Sequence, residues 1–313
     1  MRKLIIAFLG LLLVGGGSEL KAQQDAQYSM YMFNGLALNP AYAGSRGVLS
    51  AMALYRHQWS GLEGAPKTAV ANVHAPLMND RMGLGLSIAS DNIGLVNMIN
   101  ITGNYAYRLT FKDDSKLAFG LNVTLNNFRG NWSEAALQDR NDPSFNASSS
   151  LWNPNFGFGV YYNSDRWFAG ISVPHLLNNS LSREGIHLEG NDNVARQYKH
   201  YFFTGGAIFT LTENVKMRPS FLFKYVQNAR LSTDINLGFL FREVFWLAAS
   251  YRIGDAVVGM IEYDINDIIR IGYAYDYTLS ELTNYTSGSH EIMLGFELRK
   301  KQTHLTPRRM SYF

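Results

Sequence analysis

The chain has no cysteine among its 313 residues. That excludes a disulfide frame, a thiolate metal site and a lipoprotein anchor. Charge is scarce too, at 17% of residues, and nearly balanced, with 28 Lys and Arg against 25 Asp and Glu. A net charge of +3 gives no strongly basic surface of the kind that nucleic acid requires. Beyond residue 22, no apolar run reaches the 18 residues that mark a membrane-spanning helix. What the chain has instead is aromatic residues and glycine: 18 Tyr, 19 Phe, 5 Trp and 28 Gly. Aromatic girdles facing lipid, with small residues facing a lumen, give this composition in a transmembrane barrel.

The N-terminus reads as a secretory signal over residues 1–22. Arg2 and Lys3 form a basic start, Leu4 to Val14 is an apolar run, and Ala22 supplies a small residue for cleavage. The run is too short to cross a bilayer. An exported, aromatic-rich chain without helical spans is periplasmic, secreted or an outer-membrane barrel.

Lys116 to Phe128 decides among these. Leu117, Phe119, Leu121, Val123 and Leu125 alternate with Ala118, Gly120, Asn122, Thr124 and Asn126. Period-2 alternation over about ten residues matches a tilted transmembrane strand. A soluble strand usually stops at about five or six. Fourteen segments read as strands: 48–57, 66–75, 82–90, 97–110, 115–128, 153–163, 166–173, 199–211, 215–226, 231–242, 245–253, 256–264, 267–278 and 289–299. Taken in order, every second connection is a tight turn, and the long ones (58–65, 129–152, 174–198 and 279–288) share the other parity. An antiparallel sheet puts alternate connections at one end, and bacterial barrels keep their short turns in the periplasm. The expected fold is therefore all-β, a transmembrane antiparallel barrel of about 14 strands over 48–299. Both termini are expected in the periplasm.

Residues 23–47 lack a sustained period. The turn formers Asn34-Gly35, Asn39-Pro40 and Ala43-Gly44 punctuate them, and Tyr28, Tyr31, Met32, Phe33, Leu36 and Tyr42 make them apolar. An ordered, irregular segment against the barrel or in its mouth is expected; a disordered leader is the alternative. Its place before the first strand puts it, like the tail, in the periplasm or lower lumen. The tail, 300–313, is basic, with Arg308 and Arg309, and is either solvated or docks a periplasmic partner.

No catalytic constellation assembles. Inward charges such as Arg108, Arg218, Asp234, Arg252, Asp276 and Glu291 read as lumen solvation and cross-strand ion pairs, or as a binding or conducting surface. Gly83-Leu84-Gly85 and Gly157-Phe158-Gly159 resemble fragments of a nucleotide fingerprint but lack its third glycine and its helix. Asp139 to Asp142 and Glu189 to Asn193 carry oxygen ligands without the spacing of a calcium loop. Neither HExxH nor GxSxG occurs. The expectation is no enzyme, no cofactor and no metal.

Tyr31-Met32-Phe33-Asn34, then Asn39-Pro40-Ala41-Tyr42-Ala43-Gly44-Ser45-Arg46-Gly47, with Arg56-His57-Gln58-Trp59 later, resemble the PorP/SprF family. The family's motif often has Pro where this chain has Gly35. The resemblance implies a non-enzymatic outer-membrane component of the type IX secretion system, which exports proteins with a C-terminal signal. It implies association with a periplasmic ring lipoprotein and its partner, or with a surface adhesin in gliding motility. Partner-binding candidates are Tyr31, Phe33, Asn39, Pro40, Tyr42, Arg46, Arg308 and Arg309. A passive porin for small solutes is the alternative.

Overall fold

A computed structural model of the chain describes residues 27–131, 149–179, 197–227, 229 and 231–298. Fourteen antiparallel strands form one closed sheet. They are β1 (Leu49–His57), β2 (Lys67–Leu77), β3 (Met82–Ile93), β4 (Val96–Thr110), β5 (Lys116–Gly130), β6 (Ser149–Asn163) and β7 (Trp167–Val173). β8 has two segments, His200–Ala207 and Phe209–Thr212. Then come β9 (Val215–Val226), β10 (Ser232–Phe241), β11 (Phe245–Arg252), β12 (Ala256–Asp264), β13 (Ile269–Thr278) and β14 (Ser289–Leu298). β1 closes on β14, with Leu49 opposite Leu298 and His57 opposite His290. Closure leaves no sheet edge, so the strand backbones find their hydrogen bonds within the sheet, as a bilayer demands.

The Ala-rich β1 and β2, weakly patterned in sequence, are full strands. Alternation sorts their side chains as it does in β5. There Leu121 is 57% exposed and Asn122 6%, so successive residues face opposite sides of one wall. β8 breaks at Ile208, inside a segment that reads as continuous in sequence. Pro219 of β9 follows the Ser220–Gly206 pair at this break, and proline has no N–H for the ladder. Ile208 N donates instead to Arg166 O at 2.9 Å.

The connections obey the parity expected of them. One rim carries 78–81, 111–115, 164–166, 213–214, 242–244 and 265–268. In the second of these, Asp113 accepts Ser115 Oγ at 2.7 Å and Ser115 N at 3.3 Å, which holds its carboxyl below the usual range. The other rim carries 58–66, 131–148, 174–199 and 279–288, together with three shorter turns. The two potential calcium loops lie in these long connections, outside the described residues.

Candidate functional site: a lumen filled by the N-terminal segment

Residues 28–47 lie inside the barrel. Three short helical pieces, Tyr31–Phe33, Gly35–Leu38 and Pro40–Tyr42, fold them into a plug. Asn39 starts the last piece: its Oδ1 accepts Ala41 N at 2.9 Å, and Pro40 supplies a preset φ at the first helical position.

The wall is built to receive this backbone. Gly83, Ala106, Gly120 and Gly159 are cross-strand neighbours and form a flat row across β3 to β6. A Cβ on Gly83 would collide with the Ala43 carbonyl, and one on Gly120 with Ala41 N. The pairs that look like nucleotide-fingerprint fragments are thus lumen glycines, and Gly83 and Gly159 let the plug approach. Polar wall atoms take up the plug's spare groups. Asn39 Nδ2 donates to Val160 O at 2.9 Å, Ser172 Oγ to Leu38 O at 2.6 Å, and Arg218 Nη2 to Met32 O at 3.1 Å. Gly44 N donates to His74 Nδ1 at 3.0 Å, and Arg108 Nη2 donates to Ala43 O.

The segment runs the length of the lumen rather than staying at the rim from which β1 starts. Gly44 and Arg46 sit near the tight-turn rim, where Arg46 pairs with Glu297 at 2.6 Å. Ser29 and Met30 sit near the opposite rim. Their N–H groups donate to the two oxygens of Glu291 at 2.9 and 2.7 Å, and Ser29 Oγ donates to Asp276 at 2.7 Å. Glu291 is fully buried, and a buried carboxylate needs donors. Those two N–H groups hold the start of the plug at the long-loop rim.

Arg56 completes that cluster, 2.8 Å from Asp276, 3.1 Å from Glu291 and 2.9 Å from Ser29 Oγ. Arg252 continues it, 3.5 Å from Asp276 and 3.2 Å from Asp234. A second cluster links Arg270 to Glu297 at 3.3 Å and to Glu262 at 3.5 Å. The lumen therefore has two unlike walls. β9 to β14 with β1 carry clustered ion pairs; β3 to β6 carry mainly glycine and neutral amides, with Arg108 and Asp91 as their buried charges.

Six of the sequence-derived partner candidates meet here. Tyr31 Oη accepts a hydrogen bond from Asn236, and the Phe33 ring stands edge-on to Trp246 at 6.3 Å with the Arg218 guanidinium near both rings. Tyr42 is edge-on to Tyr161 at 5.4 Å and His74 at 5.6 Å. Asn39 and Arg46 take the contacts above, and the Pro40 ring lies over Gly159. All six side chains are thus engaged with the inner wall. Arg308 and Arg309 lie outside the described residues. Ser29 escaped the sequence reading, Asn34 entered it only as a turn former and through the family motif, and Arg56 only through that motif. The inward alternation Ser50, Met52, Leu54, Arg56 marks Arg56 as a lumen charge.

Residues 20–296 match the profile of the family described as type IX secretion system membrane protein PorP/SprF. The chain belongs to the PorP/SprF family. No curated protein matches its sequence. Among solved structures, this PorP/SprF protein is similar to the CymD monoaromatic hydrocarbon channel, with a TM-score of 0.50, 10% identity, and 86% of this chain and 94% of that one covered. It is also similar to the Acinetobacter baumannii outer membrane protein Omp33, at a TM-score of 0.46 and 8% identity, over 80% of this chain and 98% of that one. A Pseudomonas aeruginosa FadL homologue gives a TM-score of 0.46 and 11% identity, over 85% and 92%. Identities this low speak to the barrel fold alone. This PorP/SprF protein is thus an outer-membrane type of β-barrel. Among the described residues no helix is long and apolar enough to cross a membrane; the strands do that.

Proposed function

We propose that this protein is a non-enzymatic outer-membrane component of type IX secretion. In this role it supports export or surface attachment of C-terminal-signal proteins, by associating with the periplasmic ring lipoprotein and its partner or with a surface adhesin. The observation that carries the reading is the filled lumen: in a PorP/SprF chain, a plug bonded to most of the wall suits a scaffold better than a conduit. The tight-turn rim is then periplasmic, by the general habit of bacterial barrels. Residues 300–313 follow β14 at that rim, so the basic tail with Arg308 and Arg309 is a docking element for the ring. Tyr31, Phe33, Asn39, Pro40, Tyr42 and Arg46 act on partners indirectly, by fixing the plug and hence the shape of that rim. The passive porin is the second reading, favoured by the cavity of ≈ 140 Å³ left beside the plug.

The test is a pull-down from solubilised outer membrane, with cargo measured in the medium. Deleting 301–313 is expected to leave a heat-modifiable barrel in the membrane, to reduce recovery of ring proteins and to lower secretion. Normal secretion together with unchanged ring recovery would sink the docking role. A tag at Glu63, on the long-loop rim, is expected to be reachable on intact cells, and one at Asp113 is not. The reverse pattern would overturn the orientation.

A further inference from the structure

The neutral wall of the lumen continues above the plug as a grid of small polar side chains. In the register of β3 to β6, Asn104 stands opposite Asn122, and Asn100 opposite Asn126. Ser87, Thr102, Thr124 and Asn155 make the cross-strand row between them. All of these but Asn155 line the ≈ 140 Å³ cavity, whose floor is the plug from Leu36 to Pro40. The lining continues toward the long-loop rim through Met98, Phe128 and His175.

Several atoms of the grid have no hydrogen-bond partner among the described residues. Ser87 Oγ, Asn104 Nδ2, Asn122 Oδ1 and Asn126 Oδ1 are buried without a hydrogen bond. Their Asn residues are only 4%, 6% and 8% exposed. Donors and acceptors are therefore both left over, at facing positions. A buried polar group needs a partner, and these four belong to residues that line an open cavity, where another molecule can supply one.

We propose that this pocket binds a neutral, polyhydroxylated ligand, one sugar unit in size. Three features select that chemistry. Among the described lining residues there is no Lys or Arg, and the single carboxylate, Asp91, accepts Thr68 Oγ1 at 2.5 Å. An anionic group would enter without an opposite charge to meet it, and for a cation the described lining offers only Asp91. A hydroxyl is donor and acceptor on one atom, so neighbouring hydroxyls satisfy Asn104 Nδ2 and Asn122 Oδ1 together. Phe128 and Phe202 add apolar surface against which the C–H face of a sugar ring packs. A peptide also offers N–H and C=O groups, but the plug makes the pocket blind, and a chain end entering it brings a terminal charge. The pocket owes nothing to the secretion role: a porin with this lumen would have it too.

Titration of the full chain in detergent, followed by saturation-transfer NMR, tests this with glucose, galactose, mannose and N-acetylglucosamine as probes. Glucuronate and a capped Ala-Gly-Ala peptide serve as charged and peptide controls. At least one neutral sugar is expected to bind at millimolar concentration and both controls to fail. Asn122→Leu and Asn126→Leu are each expected to weaken binding by about tenfold or more, because a site built on hydrogen bonds discriminates strongly against their loss. Leu121→Ala, on the lipid face, should leave binding unchanged. Ser87→Ala trims only a hydroxyl and still locates the site where a leucine variant fails to fold. No sugar binding, binding indifferent to all three lumen variants, or equal binding of the capped peptide would each overturn the proposal.

Discussion

Leu121 and Asn122 are neighbours in sequence and meet different solvents. Leu121 points to lipid and Asn122 to the cavity, so the same substitution has unequal cost. Leu121→Arg places a charge on the apolar face and is expected to cost about 2–4 kcal/mol. Asn122→Arg faces polar side chains and space, and should be milder. Urea titration of the folded band on a semi-native gel measures both, and equal losses would refute the facing. Arg56 shows the opposite situation, a charge that the interior requires. Its guanidinium serves Asp276, Glu291 and Ser29 at once. Arg56→Met leaves two buried carboxylates short of a partner, for an expected loss of about 3–5 kcal/mol. The midpoint of heat modification should fall accordingly. An unchanged midpoint would mean that the cluster does not hold the barrel and plug together.

Among the elements, the fit between the glycine row and the plug is the most specific. Gly120→Leu puts a branched side chain where Ala41 backbone now lies. Strand pairing does not depend on that side chain, so the barrel should close while the plug is displaced. Because the chain lacks cysteine, an introduced thiol is a clean reporter. Ala43 is fully buried, and Ala43→Cys should resist maleimide in the parent chain and react in the Gly120→Leu background. Protection in both would show that the wall can yield to the side chain. The strands themselves were legible in sequence, including the end of β3 to within a few residues and both short turns beside β9. The break in β8 was not, because it depends on Pro219 in the adjacent strand.

For the whole molecule, the plug decides whether the barrel conducts. Intact protein in a planar bilayer is expected to pass little current, since residues 28–47 fill the lumen. Deleting 28–43 keeps every strand and should raise single-channel conductance severalfold. A large conductance in the intact protein would favour the porin reading over the scaffold. An unchanged conductance after deletion would mean that the long-loop rim, rather than the plug, limits flow.

The sequence by itself determined the barrel, its strand count, the parity of its turns and the inward or outward face of the residues in its cleanly alternating strands. These follow from local rules: a period of two, turn residues, and the need to satisfy backbone groups in lipid. Membership in the family was also legible, from Tyr31 to Gly47 and Arg56 to Trp59. The path of residues 28–47 up the lumen was decided only by tertiary structure. It depends on Glu291, Asn236, Gly120 and Asn72 arriving from four separate strands at heights that match Ser29, Tyr31, Ala41 and Asn34. The division of the lumen into a charged wall and an amide wall has the same origin. Alternation tells which side chains face inward, but strand register alone sets which of them stand at the same height, and register is a property of the closed sheet.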